Sequence, residues 1–428
     1  MYIERLYAER FRNIERLELL PHPRVNILEG DNGQGKTNVL EAIVVLASLR
    51  SFRTGRLSEC IEFDADQSSI ASHVQRGGAS THLGVQLGRR RHRVFVDGKA
   101  ASTTSSYAGR LVAVLFGPGD LALPHADPAL RRRWLDRVIF NHHPIHLADL
   151  RRYERGLASR NALLKQHRRG SHIDVTLIDV YDRLVAEHGA VVSERRATFV
   201  ADFDRSLAAV FGEVASPGLV SGLRYVPRGA LKDAVDVEAR RAVLASELAE
   251  RRSTDLRLGY TTRGPHLDDV VFELNGRPAR VHASQGQCRA LVLAAKIAEI
   301  TSLERSLGES PVLLLDDVSS ELDAERNRAL MAHLEALGGQ VFLTTTAARH
   351  IRVASPRRVF LVRGGEVHRA DEIDVEEKDD GLAPSAVEAP GAEASGPVTE
   401  TGEAGVADLT AASAEMAPGA ESSKPMDG

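Results

Sequence analysis

The 428-residue sequence predicts an α/β fold with a large helical insertion, and three observations carry the prediction. Runs that are apolar or alternate apolar with polar, as strands do, crowd the first hundred residues and the region after about residue 255. One of them, Val25 to Leu28, feeds a glycine-rich loop and an apolar helical segment; another, Val312 to Leu315, ends in two aspartates. Between the two halves, leucines and aromatics recur at steps of three and four, the repeat of an amphipathic helix.

In chain order, "LYAERFRNIERLELL" and "RVNILEG" read as the first strands. "RHRVFVDGKA" predicts a hairpin turning at Asp97-Gly98, and "DVVFELNGRPARV" another at Asn275-Gly276, because both dipeptides tolerate the positive φ of a two-residue turn. In the middle, Leu147, Leu150, Tyr153, Leu157 and Leu164 mark one helix, interrupted at Asn161. Leu177, Tyr181, Leu184, His188, Val191, Arg195, Phe199, Phe203 and Leu207 mark a second, longer one, and the short link between them predicts antiparallel packing. The rows have too few apolar turns for an extended coiled coil. The expected organisation is a head split into residues 1–120 and 255–375, a helical arm over 121–254, and a tail over 376–428.

Composition narrows the class. No window holds the eighteen uninterrupted apolar residues of a membrane helix, and the amino terminus lacks a secretory signal. Two cysteines, Cys60 and Cys288, are too few for a disulfide framework or a thiolate metal cage, so the chain reads as cytoplasmic. The tail carries twelve acidic residues against Lys378 and Lys424 and has no aromatic residue; it cannot bury enough apolar surface to offset its ordering entropy and is expected to be disordered. With the tail at −10 and the whole chain at −4, the first 375 residues carry +6, a mildly basic body compatible with nucleic acid.

The loop after Val25 to Leu28 reads Gly30, Asp31, Asn32, Gly33, Gln34, Gly35, Lys36, Thr37, the pattern G-x-x-x-x-G-K-[ST] between a strand and a helix. Glycines let the backbone N–H groups converge on phosphate, the helix start adds a positive dipole end, Lys36 can reach the β- and γ-phosphates, and the Thr37 hydroxyl suits Mg²⁺. ATP with Mg²⁺ is the expected ligand pair. Such a loop needs a carboxylate on a neighbouring buried strand: Asp316, directly after Val312 to Leu315, is the expected metal ligand, with Asp317 placed to polarise the attacking water. Further along, Ser284, Gln285, Gly286 and Gln287 precede a helix and offer a hydroxyl and helix-end N–H groups to an anion, and "SSELD", Ser319 to Asp323, follows the aspartates. In this order they match the signature and D-loop motifs of ABC-type ATPases.

Taken together, "FRNI", "GDNGQGKTNVLEAI", "SFRTGR", "ASRNALLK", "GPHLDD", "ASQGQCRALVLAAKIAE" and "LLLDDVSSELD" resemble the RecF family of recombinational repair proteins over nearly all of residues 1–365. The resemblance implies an α/β ABC-type P-loop ATPase head with an inserted α-helical arm, similar to SMC heads without their long coiled coil. It further implies an ATP-dependent homodimer that binds DNA at gaps and junctions and acts with RecR and RecO to load recombinase on single strands. Carried over residue by residue, Ser284 to Gln287 would contact the γ-phosphate in trans, opposite Lys36 and Asp316. Two other readings are a P-loop phosphotransferase, which has no use for signature and D-loop motifs, and a structural SMC-like head without significant hydrolysis, against which Asp317 argues.

The chain departs from those patterns at four places. Asp317 stands where many ABC-type ATPases use Glu, which predicts slow turnover. Thr344 to Thr346 occupy the place of a switch histidine, with His350 too far along to replace it. Leu267 in "GPHLDD" replaces a usual arginine, leaving His266 either a ligand contact or a turn-stabilising side chain, and Cys288 replaces a common glutamine and reads as a buried, inert thiol.

Overall fold

The computed structural model describes residues 1–170, 172–215, 218–317, 324–351 and 355–370. The tail over 376–428 and the D-loop segment Ser319 to Asp323 lie outside the described residues.

Three sheets organise the described residues. Strands β3 (Val25–Glu29), β8 (Ala113–Phe116), β12 (Val312–Leu315), β13 (Val341–Thr345), β14 (Arg357–Arg363) and β15 (Glu366–Arg369) form one in the order β15-β14-β3-β13-β12-β8, parallel except for β15. Strands β1 (Tyr2–Phe11), β2 (Ile14–Leu19), β4 (Gln67–Arg76), β5 (Ala79–Gly88), β6 (His92–Val96) and β7 (Lys99–Ala100) form an antiparallel sheet in the order β2-β1-β4-β5-β6-β7. The third is small: β9 (Ser221–Val226), β10 (Asp269–Leu274) and β11 (Arg277–Pro278), with β10 central. Both predicted hairpins form. Asp97 and Gly98 turn at φ 49° and 76°, Asn275 and Gly276 at φ 51° and 72°.

The parallel sheet is buried on both faces, which is why its strands read as continuous apolar runs. Successive residues point to opposite sides: Leu28, Leu115, Leu314 and Phe342 face helix α1 (Lys36–Ser48) and the antiparallel sheet, whereas Ile27, Val114, Leu313 and Leu343 face the opposite layer. Trapped between two sheets, α1 is buried from Val39 through Ser48, so it is apolar nearly all round and not amphipathic.

The opposite layer is helical. Short helices α2 (Thr104–Tyr107) and α3 (Pro118–Leu121) lead to α4 (Pro128–His142), α5 (Ile145–Arg168), α6 (Val175–Val214) and α7 (Val237–Leu258); α8 (Ala279–His282), α9 (Gln285–Leu307) and α10 (Ala324–Leu337) follow. Helices α5 and α6 pair across a short link, and α7 packs on both. They are continuous with the head: Trp134 and Val138 of α4 and Phe203, Leu207 and Phe211 of α6 share one core with α9 and the parallel sheet.

The stripe expected on α6 needs correction over its first half. Leu177 and Leu184 are exposed, and the buried face is Ile178, Asp182, Val185, Gly189, Val192 and Arg196, one position on. Two buried charges disguise this face. Asp182 accepts from Arg160 of α5, at 2.5 Å, and Arg196 forks onto Asp136 of α4 at 2.8 and 2.7 Å. The break at Asn161 has the same origin: Arg160 fills that turn, fully buried, bonded also to Asp255 at 2.7 Å and Thr261 at 2.8 Å. Asn161 itself accepts from the N–H and hydroxyl of Thr261. Among the described residues, no helix is long and apolar enough to cross a membrane.

Candidate phosphate-binding site

The glycine-rich loop joins β3 to α1 at the C-terminal edge of the parallel sheet, where open α/β sheets bind ligands. Three of its glycines are required for different reasons. A Cβ on Gly30 would lie 2.3 Å from the carbonyl oxygen of Val362 on β14, while Gly33 and Gly35 have φ of 83° and 114°, values that side chains resist. Asp31, Asn32 and Gly33 are exposed at the rim. The side chain of Gln34 is held away from the rim, accepting from Gly364 N–H at 2.6 Å, and its carbonyl accepts from Gly365 N–H at 2.8 Å; the loop is thereby fastened to the β14–β15 turn.

Lys36 is folded back onto its own loop, its ammonium donating to the carbonyls of Gly30 at 2.6 Å and Asp31 at 2.8 Å. Burial pushes the lysine pKa down, opposed by the nearby Asp317 and Asp316 carboxylates. Thr37 donates to Asp316 Oδ1 at 2.8 Å, so hydroxyl and carboxylate meet although 279 residues separate them. Strand order does this: β12 lies two places from β3, with β13 between. That middle strand supplies Thr344, whose hydroxyl donates to the same Asp316 oxygen at 3.1 Å and accepts from the Asp317 N–H at 2.8 Å. One hydroxyl thus fixes both aspartates. Burial raises the Asp316 carboxyl above the ordinary range, with the Thr37 and Thr344 hydrogen bonds opposing and Asp317 adding to the rise. A cation bound there would relieve that cost. The oxygen set, a hydroxyl beside a carboxylate with room left for phosphate oxygens, fits Mg²⁺.

Ser284 and Gln287 are engaged with one another. Ser284 caps α9, its hydroxyl accepting from Gln287 N–H at 3.2 Å while the Gln287 side chain accepts from Ser284 N–H at 2.8 Å. Ser284 and Gln285 are exposed, Gly286 and Gln287 half-buried. Among the described residues, none of the four makes a hydrogen bond with the phosphate loop. The chain therefore brings together Gly30 to Thr37, Asp316 and Asp317, and presents Ser284 to Gln287 separately. Cys288 is buried, its thiol pushed up by burial, 3.3 Å from His125.

One buried carboxylate of this region went unread in the sequence. Glu41, on α1, is fully buried and takes a two-pronged contact from Arg12 at 2.9 and 2.7 Å, a Ser51 hydroxyl at 2.5 Å and Arg53 at 3.4 Å. Arg53 also donates to Asn38 at 2.7 Å, and Asn38 to Asn13 at 2.6 Å. "FRNI" and "SFRTGR" are thus two arginine-bearing turns gathered by one glutamate under the phosphate loop. The signal available was a lone charge inside the apolar run "VLEAIVV".

His266 resolves as a joint residue. Its Nδ1 accepts from the Tyr153 hydroxyl at 2.6 Å, and its Nε2, 3.1 Å from the Thr261 carbonyl, must carry the proton. Gly264, at φ 129°, leaves the space in which the tyrosine oxygen lies. Neighbouring Asp268 accepts from Tyr225 and from Arg228 N–H, and Asp269 pairs with Arg131 at 2.9 and 2.7 Å. "GPHLDD" ties α4, α5 and β9 to β10.

A strand-loop-helix phosphate site opposed by a carboxylate on the next strand but one, with an antiparallel sheet above and a capped helix presented apart, defines a P-loop head of the SMC type. The profile of the RecF/RecN/SMC N terminal domain family matches residues 2–367. The DNA replication and repair protein RecF of Myxococcus xanthus is 41% identical over 371 residues, 86% of this chain and 97% of the relative. That of Geobacter metallireducens is 38% identical over 354 residues, 83% and 95% of the two chains. Among solved structures, the recombination mediator protein RecF-ATPrS in the RecFOR pathway superposes with a TM-score of 0.77 at 30% identity, over 86% of this chain and 98% of that one, and RecF-ATP with 0.76 at 30%. The chain belongs to the RecF family of DNA replication and repair proteins.

Proposed function

We propose that the protein is an ATP-gated DNA-binding clamp that dimerises on ATP at gaps or junctions in DNA, releases on slow hydrolysis, and works with RecR- and RecO-type partners to load recombinase on single strands. The observation that carries this reading is the Thr37–Asp316 contact at the mouth of the phosphate loop. The relatives' association with ATP and with the RecFOR pathway supports it.

On this reading residues 1–120 and 255–375 serve as the head and 121–254 as the arm. The loop N–H groups of Gly30 to Gly35 hold the phosphates, and Lys36 exchanges two loop carbonyls for phosphate oxygens. Thr37 and Asp316 would hold Mg²⁺, which neutralises charge between the β- and γ-phosphates when bound. Asp317 orients and polarises water. Its short side chain, one methylene less than Glu, sets a slow rate. Ser284 to Gln287 complete the site from a second copy, so loss of the γ-phosphate removes the charge that joins the subunits and shifts the population toward monomers.

Sedimentation with and without ATP and a gapped duplex tests dimerisation, gating and DNA binding together. ATP should convert monomer to dimer, and gapped duplex should co-sediment with the dimer. Lys36→Ala should abolish the ATP dimer; a Lys36→Ala protein that still dimerises at saturating ATP removes the phosphate-loop assignment.

A further inference from the structure

A cavity of about 410 Å³ lies among α1 and the turn after it, the β8–α4 segment, and α5. The volume falls within the roughly 300 to 1,000 Å³ of small-molecule pockets. Phe52, Leu123, Leu130, Trp134 and Phe140 give it an apolar, aromatic wall, and Thr37 and Asp316 line it too, so it adjoins the phosphate loop without being that loop.

Its charges are unevenly committed. The lining carboxylates are all engaged: Asp120 with Arg137 at 2.9 Å, Asp136 with Arg196 and His146, and Asp316 with Thr37 and Thr344. Of the lining arginines, Arg137 is spent on Asp120, Arg53 on Asn38 and Glu41, and Arg50 sits 3.6 Å from the exposed Glu154. Arg133 has no hydrogen-bond or ion-pair partner among the described residues, although its neighbours Arg131 and Arg132 are pinned to Asp269 and the Asp268 carbonyl. Trp134 is 3% exposed and its indole N–H is buried without a partner. An apolar chamber in which Arg133 is the one lining cation without a partner among the described residues complements an apolar body bearing one anionic group.

We infer that this cavity is a binding site for a small aromatic carboxylate, its ring among Phe52, Leu130 and Trp134 and its carboxylate on Arg133. The inference stands apart from the nucleotide reading, since neither ATP nor a second copy is needed for it.

Trp134 is the chain's single tryptophan, so its fluorescence reports this cavity in the full-length protein. The probe is 4-iodobenzoate, whose iodine quenches indole on contact, with the uncharged 4-iodobenzamide as its partner. Quenching by the benzoate should saturate, at a half-point about tenfold lower than for the amide, the worth of one hydrogen bond to a charged group. Arg133→Gln, a change at an exposed position, should raise the benzoate half-point about tenfold and leave the amide unchanged; Leu130→Phe should weaken both by filling the chamber. Quenching that is absent or only linear in concentration, equal half-points for the two probes, or a benzoate curve unmoved by Arg133→Gln would each overturn the site.

Discussion

Asp317 follows β12 in the left-handed region at φ 50°, an uncommon conformation for a residue with a side chain, and its N–H is held by Thr344. Retaining a non-glycine there makes sense if the carboxylate acts on water. Asp317→Asn keeps size and hydrogen bonding but removes the base, so ATP-bound dimer should accumulate while turnover falls by about 10² or more; turnover near that of the native protein in a single-turnover assay would place the base elsewhere. His266 makes a separate prediction. Burial lowers its pKa from 6.5 to about 4, with Arg132 of α4 and Arg160 of α5 adding to the fall and the Thr261 carbonyl and Asp255 of α7 opposing it. The native state thus holds a neutral ring where the unfolded chain is protonated, and stability rises with pH between about 4 and 6.5. Acidifying across that window should cost up to about 3 kcal/mol through this group, discounted for its partial exposure. In His266→Gln that part of the pH dependence should vanish from urea unfolding curves; an unchanged pH profile would show that the ring titrates as freely folded as unfolded.

At the scale of elements, strands and turns were legible because their signals are local: continuous apolar runs for buried parallel strands, Asp-Gly and Asn-Gly for the hairpins. The phosphate loop and the two aspartates were legible for the same reason, each being fixed by neighbours in sequence. The buried face of α6 was not, because Asp182 and Arg196 look like surface until Arg160 and Asp136 are seen beside them, and those pairings cross from helix to helix. Glu41 was missed likewise, its partners lying on two separate turns. Arg160 measures how much such pairings matter. Arg160→Ala would strand Asp255, fully buried, and leave Asp182 with Arg252 alone, at a cost of about 3 to 5 kcal/mol. Replacing Arg160 by Met together with Asp182→Asn and Asp255→Asn should recover most of it, since neutral groups carry no unpaired charge. Equal destabilisation of the single and triple variants in chemical denaturation would mean that packing, and not the charges, sets the cost.

For the whole molecule, the question is how a body of only +6 would hold DNA. Some of its arginines are spent internally: Arg131 and Arg132 on "GPHLDD", Arg160 and Arg196 on buried aspartates, and Arg89 on the carbonyls of Phe63 and Ala65. Others are uncommitted among the described residues, the exposed Arg90, Arg91 and Arg93 at the β5–β6 turn included, and two copies joined by ATP would double the number a duplex meets. DNA affinity should consequently depend on both ATP and salt. If the dimer neutralises about six phosphates, affinity should fall about 10³-fold between roughly 50 and 200 mM salt, as condensed counterions are released. Without ATP the slope of log affinity against log salt should be about half as steep, because one subunit reaches half the phosphates. Fluorescence anisotropy with a gapped duplex measures both slopes. A flat response would exclude a clamp that tracks the backbone, and equal slopes with and without ATP would mean that DNA binding is the property of one subunit and that dimerisation serves another step.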